Sequence, residues 1–284
     1  MNYVDLHTHS TCSDGTFTPK ELIGYGKAKG LKAIALTDHD TLAGIQEAMY
    51  YGEKYEIEVV PGIEISTEYE NNELHIVGLF VSDGNSEFVS VLENLRKSRE
   101  NRNIEMVEKL NEIGVNIKYS DVLKHTEGAI ATRAHIAREI IAKGYATSNN
   151  EVFDKYIGKD KPAYVKRKVL PWQDTLYLIS NCGGLPILAH PLLYKISVRR
   201  LEMIVSDLAS HGLVGIEAYY STHSPSEVKY VKSLAQKNEL ELSGGSDFHG
   251  SNKPNLDLGT GYGNLEVPYE VLDNLRKLKG VKNV

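Results

Sequence analysis

The stretch VDLHTHSTCSDG, Val4 to Gly15, sets Asp5, His7, His9 and Asp14 within twelve residues of one another, directly after an apolar start. Imidazole nitrogens and carboxylate oxygens at that density are donors for a divalent metal ion. If the segment enters as a β-strand, alternation puts Asp5, His7 and His9 on one face and Leu6 and Thr8 on the other. Two imidazoles two residues apart on a strand can hold one ion; the same residues would also serve as a strand end with hydrogen-bonded histidines. The rest of the chain has to separate these readings.

The pattern recurs. LKAIAL runs into TDHD, which carries Asp38, His39 and Asp40; VVPGI runs into Glu64; LPILA runs into His190; and LELSGGS runs into Asp247 and His249. In parallel α/β barrels the working residues gather at the C-terminal ends of strands, where loops vary without disturbing the core. His75 instead opens the run LHIVGLF. The short EYENNE between this run and the preceding one reads as a hairpin, which returns His75 to the side of Glu64. So many ionisable groups cannot be buried cheaply without compensating charge, and metal coordination supplies it. The convergence therefore favours a polynuclear metal site.

The elements that must position these residues are legible as short apolar runs alternating with amphipathic stretches, the rhythm of an α/β fold. Strands are expected at Tyr3–His7, Leu31–Thr37, Glu58–Ile65, Leu74–Val81, Leu185–Ala189, Val214–Ala218 and Glu241–Gly245. Thr18-Pro19 with Glu21 and Ser224-Pro225 with Glu227 are helix starts, and Gly30 and Gly212 are helix stops. From about Glu87 to Lys161 the alternation gives way to successive helices, with Val89, Leu92 and Leu95, then Val107, Leu110 and Ile113, near helical spacing. The expected organisation is a barrel core from residues 1–86 and 162–284, with residues 87–161 a helical insertion covering one end.

Composition narrows the classes. The chain has 284 residues, 41% hydrophobic and 25% charged, with a formal net charge of −6, which argues against a broad surface for duplex DNA. No apolar run is long enough to cross a bilayer and no secretory leader is visible, so a cytoplasmic protein without a membrane partner is expected. Cys12 and Cys182 follow no zinc or redox spacing and read as free thiols.

Taken together, DLHTHSTCSDG, ALTDHDT, PGIEIS, LHIVGL, ILAHP and GSDFHG resemble, in order, the motifs of the PHP family, named for polymerase and histidinol phosphatase. The resemblance implies a metal-dependent phosphoesterase on a distorted (β/α)7 barrel. SDGTFTPKELI and LTDHDTLAGI are most similar to a stand-alone subgroup acting on nucleotide phosphomonoesters and on the ends of short oligonucleotides, which carries a helical insertion at the same place. It implies a trinuclear centre: one ion on His7, His9, Glu64 and Asp247, a second on Glu64, His75 and His190, a third on Asp14, His39 and His249, with Glu64 bridging the first two. Catalysis would rest on Glu64, His190 and Asp247, through attack of a metal-activated hydroxide on phosphorus. Donors without cysteine suit two to three ions of Mn²⁺, Fe²⁺ or Zn²⁺, with identity open. Asp38 and Asp40 either orient His39 and neighbouring ligands or form a turn and a helix cap.

Substrate contacts are expected from the insertion. In ATRAHIAR, Thr132 caps a helix and puts Arg133 and His135 in its first turn, where the helix dipole favours an anion. Lys161 in GKDKPAYV and His223 in YYSTHSPSE are further candidates, His223 also as proton donor to the leaving group. RKSRENR reads as the solvated face of a long helix. The leading reading is hydrolysis of AMP, a nucleoside 3′,5′-bisphosphate or a short oligonucleotide end. Histidinol phosphatase is the nearest alternative. A non-catalytic metal-binding PHP module and a C–N-cleaving metallohydrolase are readings of other classes.

Overall fold

All the runs expected as strands pair into one sheet in the computed structural model, which describes residues 2–70, 72–82, 84–126 and 131–280. Asn71 of the expected hairpin, residues 127–130 of the expected insertion, and residues 1, 83 and 281–284 of the expected core lie outside the described residues. Strands β1 (Tyr3–Thr8), β2 (Ala33–Leu36), β3 (Glu58–Tyr69), β4 (Asn72–Leu79), β5 (Leu170–Pro171), β6 (Leu185–Leu188), β7 (Gly215–Tyr220), β8 (Glu241–Gly245) and β9 (Val267–Pro268) run in the order β8-β7-β6-β4-β3-β2-β1-β9, with β5 on β3. The two-residue strands β5 and β9 carry too little periodicity to be read from sequence, and β3 continues four residues past its expected end at Ile65.

Most neighbours are parallel, but β4 runs antiparallel to both β3 and β6. This distorts the β/α barrel for a simple reason: parallel pairing needs a long crossover, and the connection from Tyr69 to Asn72 is too short for one. The register sets His75 opposite Ser66 and Val77 opposite Glu64.

The two ends of the sheet meet through β1 and the chain following β8. The Asp247 amide donates to the His7 carbonyl at 2.8 Å and the His9 amide to the Phe248 carbonyl at 2.9 Å. Glycine is required at this seam, because a Cβ on Gly245 would lie 2.4 Å from the His7 nitrogen. Asp5 seals it by accepting the amides of Ser246 and Gly259, each at 2.8 Å. Burial outweighs these bonds and pushes its carboxyl up to about 6. Asp5 is thus committed to closing the barrel and does not join the two histidines.

The helix Pro19–Ala28 begins with the expected capping box, the Thr18 amide donating to Glu21 Oε2 at 2.9 Å and the Glu21 amide to Thr18 Oγ1 at 3.2 Å. Ser224 and Glu227 repeat it before Pro225–Lys237. Gly30 and Gly212, at φ +75° and +103°, follow helix ends as expected.

Between β4 and β5 lie the helices Ser86–Glu112, Tyr119–Leu123, Arg133–Ala142 and Asn149–Val152, with no strand among the described residues. Met106, Leu110, Ile136, Ile140 and Val152 belong to a hydrophobic cluster distinct from those of the barrel. No helix among the described residues is long and apolar enough to cross a membrane.

Candidate metal centre

Strand ends far apart in sequence bring the expected donors together around Glu64. This side chain is 1% exposed. Its Oε1 lies 2.8 Å from His75 Nδ1 and 3.1 Å from His190 Nε2. Its Oε2 lies 3.0 Å from His39 Nδ1, 3.3 Å from His9 Nε2 and 3.4 Å from His7 Nε2. Asp247 Oδ1 stands 3.3 Å from His9 Nε2 and 3.6 Å from His7 Nε2. Asp14 Oδ1 is 3.2 Å from His249 Nε2, and its Oδ2 is 4.0 Å from His39 Nε2. All nine expected donors, His7, His9, Asp14, His39, Glu64, His75, His190, Asp247 and His249, therefore meet in one cluster.

Local backbone explains how. The chain leaving β2 stays pinned to β3, with the Asp40 amide donating to the Glu64 carbonyl at 3.0 Å and the Glu64 amide to the Asp38 carbonyl at 3.1 Å. Asp40, His190 and Asp247 all sit at positive φ, +53°, +27° and +57°. That conformation is unfavourable for residues other than glycine, and tends to be kept where function needs a side chain aimed a particular way.

The site's polar atoms fit a shared cation better than they fit one another. Among the described residues, Nε2 of His7, both ring nitrogens of His9 and Nδ1 of His39 are buried without a hydrogen-bond partner, although carboxylate oxygens lie close by. Buried polar atoms are normally paired, and nitrogen donors converging on carboxylates are what a divalent ion satisfies. Among the described residues three groups have donor atoms within 4.8 Å of one another: His9, Asp14, His39 and His249; His7, His9 and Glu64; and His39, Glu64 and His75. The electrostatics agree. Burial opposes charge on His9 and His75, but the carboxylates outweigh it and lift each to about 9: Asp247 and Glu64 for His9, Glu64 and Glu73 for His75. Burial also works against ionised Glu64, yet His39, His75 and His7 hold it well below the usual carboxylate range.

Among the described residues, Asp38 and Asp40 contact no ligand ring and cap no helix; Asp38 instead steadies neighbouring ligands through their loop, and Asp40 lies in the turn after β2. Asp38 accepts the Ser10 amide at 2.8 Å and the hydroxyls of Ser10 and Ser13 at 2.6 and 2.5 Å, so it clamps the loop between His9 and Asp14. Asp40 receives the guanidiniums of Arg99 and Arg167.

A cavity of about 230 Å³ opens beside the donors, lined by Asp14, His39 and His75 and by Arg99, Arg102, Arg133 and Arg167. Arg133 arrives as expected, at the start of Arg133–Ala142, with its guanidinium 5.5 Å from the Phe153 ring centre. His135 is buried and accepts the Thr132 amide on Nδ1 at 3.0 Å. Burial lowers it to about 4, so it caps the helix as a neutral ring. Lys161 is exposed in a turn and does not line the cavity. His223 is buried, with Nδ1 3.0 Å from the Ala218 carbonyl and its ring 5.4 Å from that of Tyr220, and it too is absent from the lining.

Sequence reasoning missed Arg99 and Arg102, reading RKSRENR as solvated; they are 5% and 8% exposed. The signal was their helical spacing, which continues the buried stripe of Phe88 and Leu92 on to Met106 and Leu110. Arg102 has no hydrogen-bond partner among the described residues, and burial followed by Arg99, Arg133 and Arg167 lowers it to about 9. Also missed were Arg167 and Glu217, the latter an acid inside the run VGIEAYY.

A family model for the PHP domain matches residues 5–159. The chain is 34% identical to a 5′-3′ exoribonuclease of Haemophilus influenzae over 86% of its own length and 89% of the relative's. It is 30% identical to a 3′,5′-nucleoside bisphosphate phosphatase of Chromobacterium violaceum over 91% of each chain. Among solved structures, one from Bifidobacterium adolescentis designated a metal-dependent phosphoesterase superposes with a TM-score of 0.88 at 26% identity, covering 99% of this chain and 97% of that one. With a family model spanning more than half the chain and near full-length relatives, this protein belongs to the PHP domain family.

Proposed function

We propose that this chain is a metal-dependent phosphoesterase hydrolysing nucleotides that carry a second phosphate, either a nucleoside 3′,5′-bisphosphate or the 5′ end of a short oligonucleotide. The barrel would comprise residues 1–86 and 162–284 and the insertion residues 87–161. The observation that carries this reading is a single cavity lined both by metal donors and by four arginines.

His7, His9, Glu64 and Asp247 would hold one ion, Glu64, His75 and His190 a second, and Asp14, His39 and His249 a third, two to three ions of Mn, Fe or Zn in all. When bound, such ions supply positive charge to phosphoryl oxygens and acidify water, the nucleophile of ester hydrolysis, toward neutral pH. Glu64 turns Oε1 to His75 and His190 and Oε2 to His7, His9 and His39, the arrangement of a bridging ligand. Arg102, buried and without a hydrogen-bond partner among the described residues, lines the cavity where it can receive an anion. Guanidinium groups bind phosphate in bidentate fashion, and Arg133 adds the partial positive charge of its helix start. A phosphate gripped there orients the rest of the substrate so that its ester phosphate faces the donor cluster. Because these charges are concentrated in one cavity, attraction is local even though the chain carries −6 overall.

Phosphate release by the Mn²⁺-loaded protein from a 3′,5′-bisphosphate, a 5′-phosphorylated dinucleotide, AMP and histidinol phosphate tests the reading. A charged hydrogen-bonded contact worth about 1.5–3 kcal/mol corresponds to a preference of roughly 10- to 150-fold in kcat/KM for the bisphosphate over AMP. Preference for histidinol phosphate, or equal use of AMP and the bisphosphate, would overturn it.

A further inference from the structure

Glu217, at the centre of β7, is fully buried and touches two of the expected ligands without being one of them. Its Oε1 accepts from His7 Nδ1 at 2.8 Å. Its Oε2 accepts the backbone amide of His190 at 2.7 Å. We propose that Glu217 is a positioning residue for the metal centre: it fixes His7 with the proton on Nδ1 and Nε2 turned to Glu64 and Asp247, and it holds the His190 backbone in the conformation that aims its ring at Glu64. The inference rests on the metal-binding reading above.

The argument follows from donor and acceptor counting. A carboxylate is acceptor-only, so both of its partners must donate. The His190 amide always does. His7 Nδ1 can do so only when it bears the proton, which leaves Nε2 as the coordinating atom. That atom lies 3.4 Å from Glu64 and 3.6 Å from Asp247 and has no hydrogen-bond partner among the described residues. The His190 backbone, at φ +27° and ψ +58°, is in a conformation that needs support from its surroundings, and the 2.7 Å bond supplies it. One carboxylate thereby ties a ligand on β1 to another that follows β6.

Glu217→Gln preserves shape but offers one acceptor and one donor where two acceptors are needed. If the amide oxygen keeps the His190 N–H, the NH₂ group faces His7 Nδ1 and forces the proton onto Nε2, the atom meant for the metal. If the amide flips, the His190 N–H loses its acceptor. Either arrangement weakens the site, and loss of a group that orients a metal ligand typically costs 10- to 100-fold in affinity.

The test measures Zn²⁺ binding to the full chain by calorimetry, with ¹⁵N-imidazole NMR of the zinc-loaded protein to report which His7 nitrogen is protonated. The expected result is His7 with Nδ1–H and zinc-shifted Nε2 in the wild type, and zinc affinity at least tenfold weaker in Glu217→Gln. If that variant does not fold, the wild-type spectrum decides alone. Zinc on His7 Nδ1, or Glu217→Gln binding within twofold of wild type, overturns the inference while leaving the metal reading intact. A wild-type chain that takes up no zinc overturns both.

Discussion

Replacing Asp40 with asparagine probes how the arginine cavity is held together. The Asp40 carboxylate is 1% exposed and receives both Arg99 and Arg167, whose side chains are 5% and 15% exposed. Burial opposes its ionisation, but the two arginines outweigh that and hold its pKa below the usual range. Removing one partner of a buried ion pair costs about 3–5 kcal/mol, because the remaining charge stays buried and uncompensated. The asparagine oxygen still accepts one N–H, so we expect the lower end, about 3 kcal/mol. For a chain of this size each kcal/mol moves the melting temperature by roughly 2–4 °C, giving a drop of about 6–12 °C. Thermal melts at fixed metal content, in buffer free of sulfate and phosphate, measure this. Sulfate should then stabilise Asp40→Asn more than wild type, because the anion replaces the lost carboxylate; saturation at 100 times Kd is worth about 2.7 kcal/mol. A variant melting within 1 °C of wild type, or an equal response to sulfate, would refute the idea that Asp40 neutralises these guanidiniums.

Arg102→Met removes a buried cation that has no hydrogen-bond partner among the described residues, so it should raise the melting temperature while lowering kcat/KM for a 3′,5′-bisphosphate roughly tenfold or more and sparing AMP; steady-state kinetics beside a melt check both. Lys161→Ala, at an exposed turn away from the cavity, should change KM less than about twofold in the same kinetics. Metal uptake should release protons, because His7, which Glu217, Glu64 and Asp247 hold well above the usual imidazole range against burial, and His9 and His75, each lifted to about 9, must all deprotonate to coordinate. Calorimetry in buffers of different ionisation enthalpy should count about three protons at pH 7, and affinity should rise with pH up to about 9. The sign for folding is opposite. A histidine pKa raised above its unfolded value stabilises the metal-free chain fully below about pH 6.5, and that contribution is lost as pH rises through 9. Melts in chelator should therefore fall over that window while the stabilisation by added Mn²⁺ grows.

The sequence by itself determined the barrel's longer strands and which histidines and acids gather at one end of them, because both follow from local rules. Apolar runs of strand length, the Thr18 and Ser224 capping boxes and the glycines at positions 30 and 212 each act within a few residues. The histidines and acids are tied to strand ends, so finding the strands located His7, His39, Glu64, His190 and Asp247 together. Only the tertiary structure decided what those donors rest on and what faces them. The roles of Asp38 and Asp40 depend on serines and arginines 25 to 127 residues away, and Glu217 lies 210 residues from His7. Arg99 and Arg102 show the difference most clearly. A charged helical stripe is normally solvated, and these two are buried because they face the cavity, where Asp40 neutralises one and the other joins the lining. Whether a charge is exposed or sealed depends on what packs against it, and distant chain supplies that.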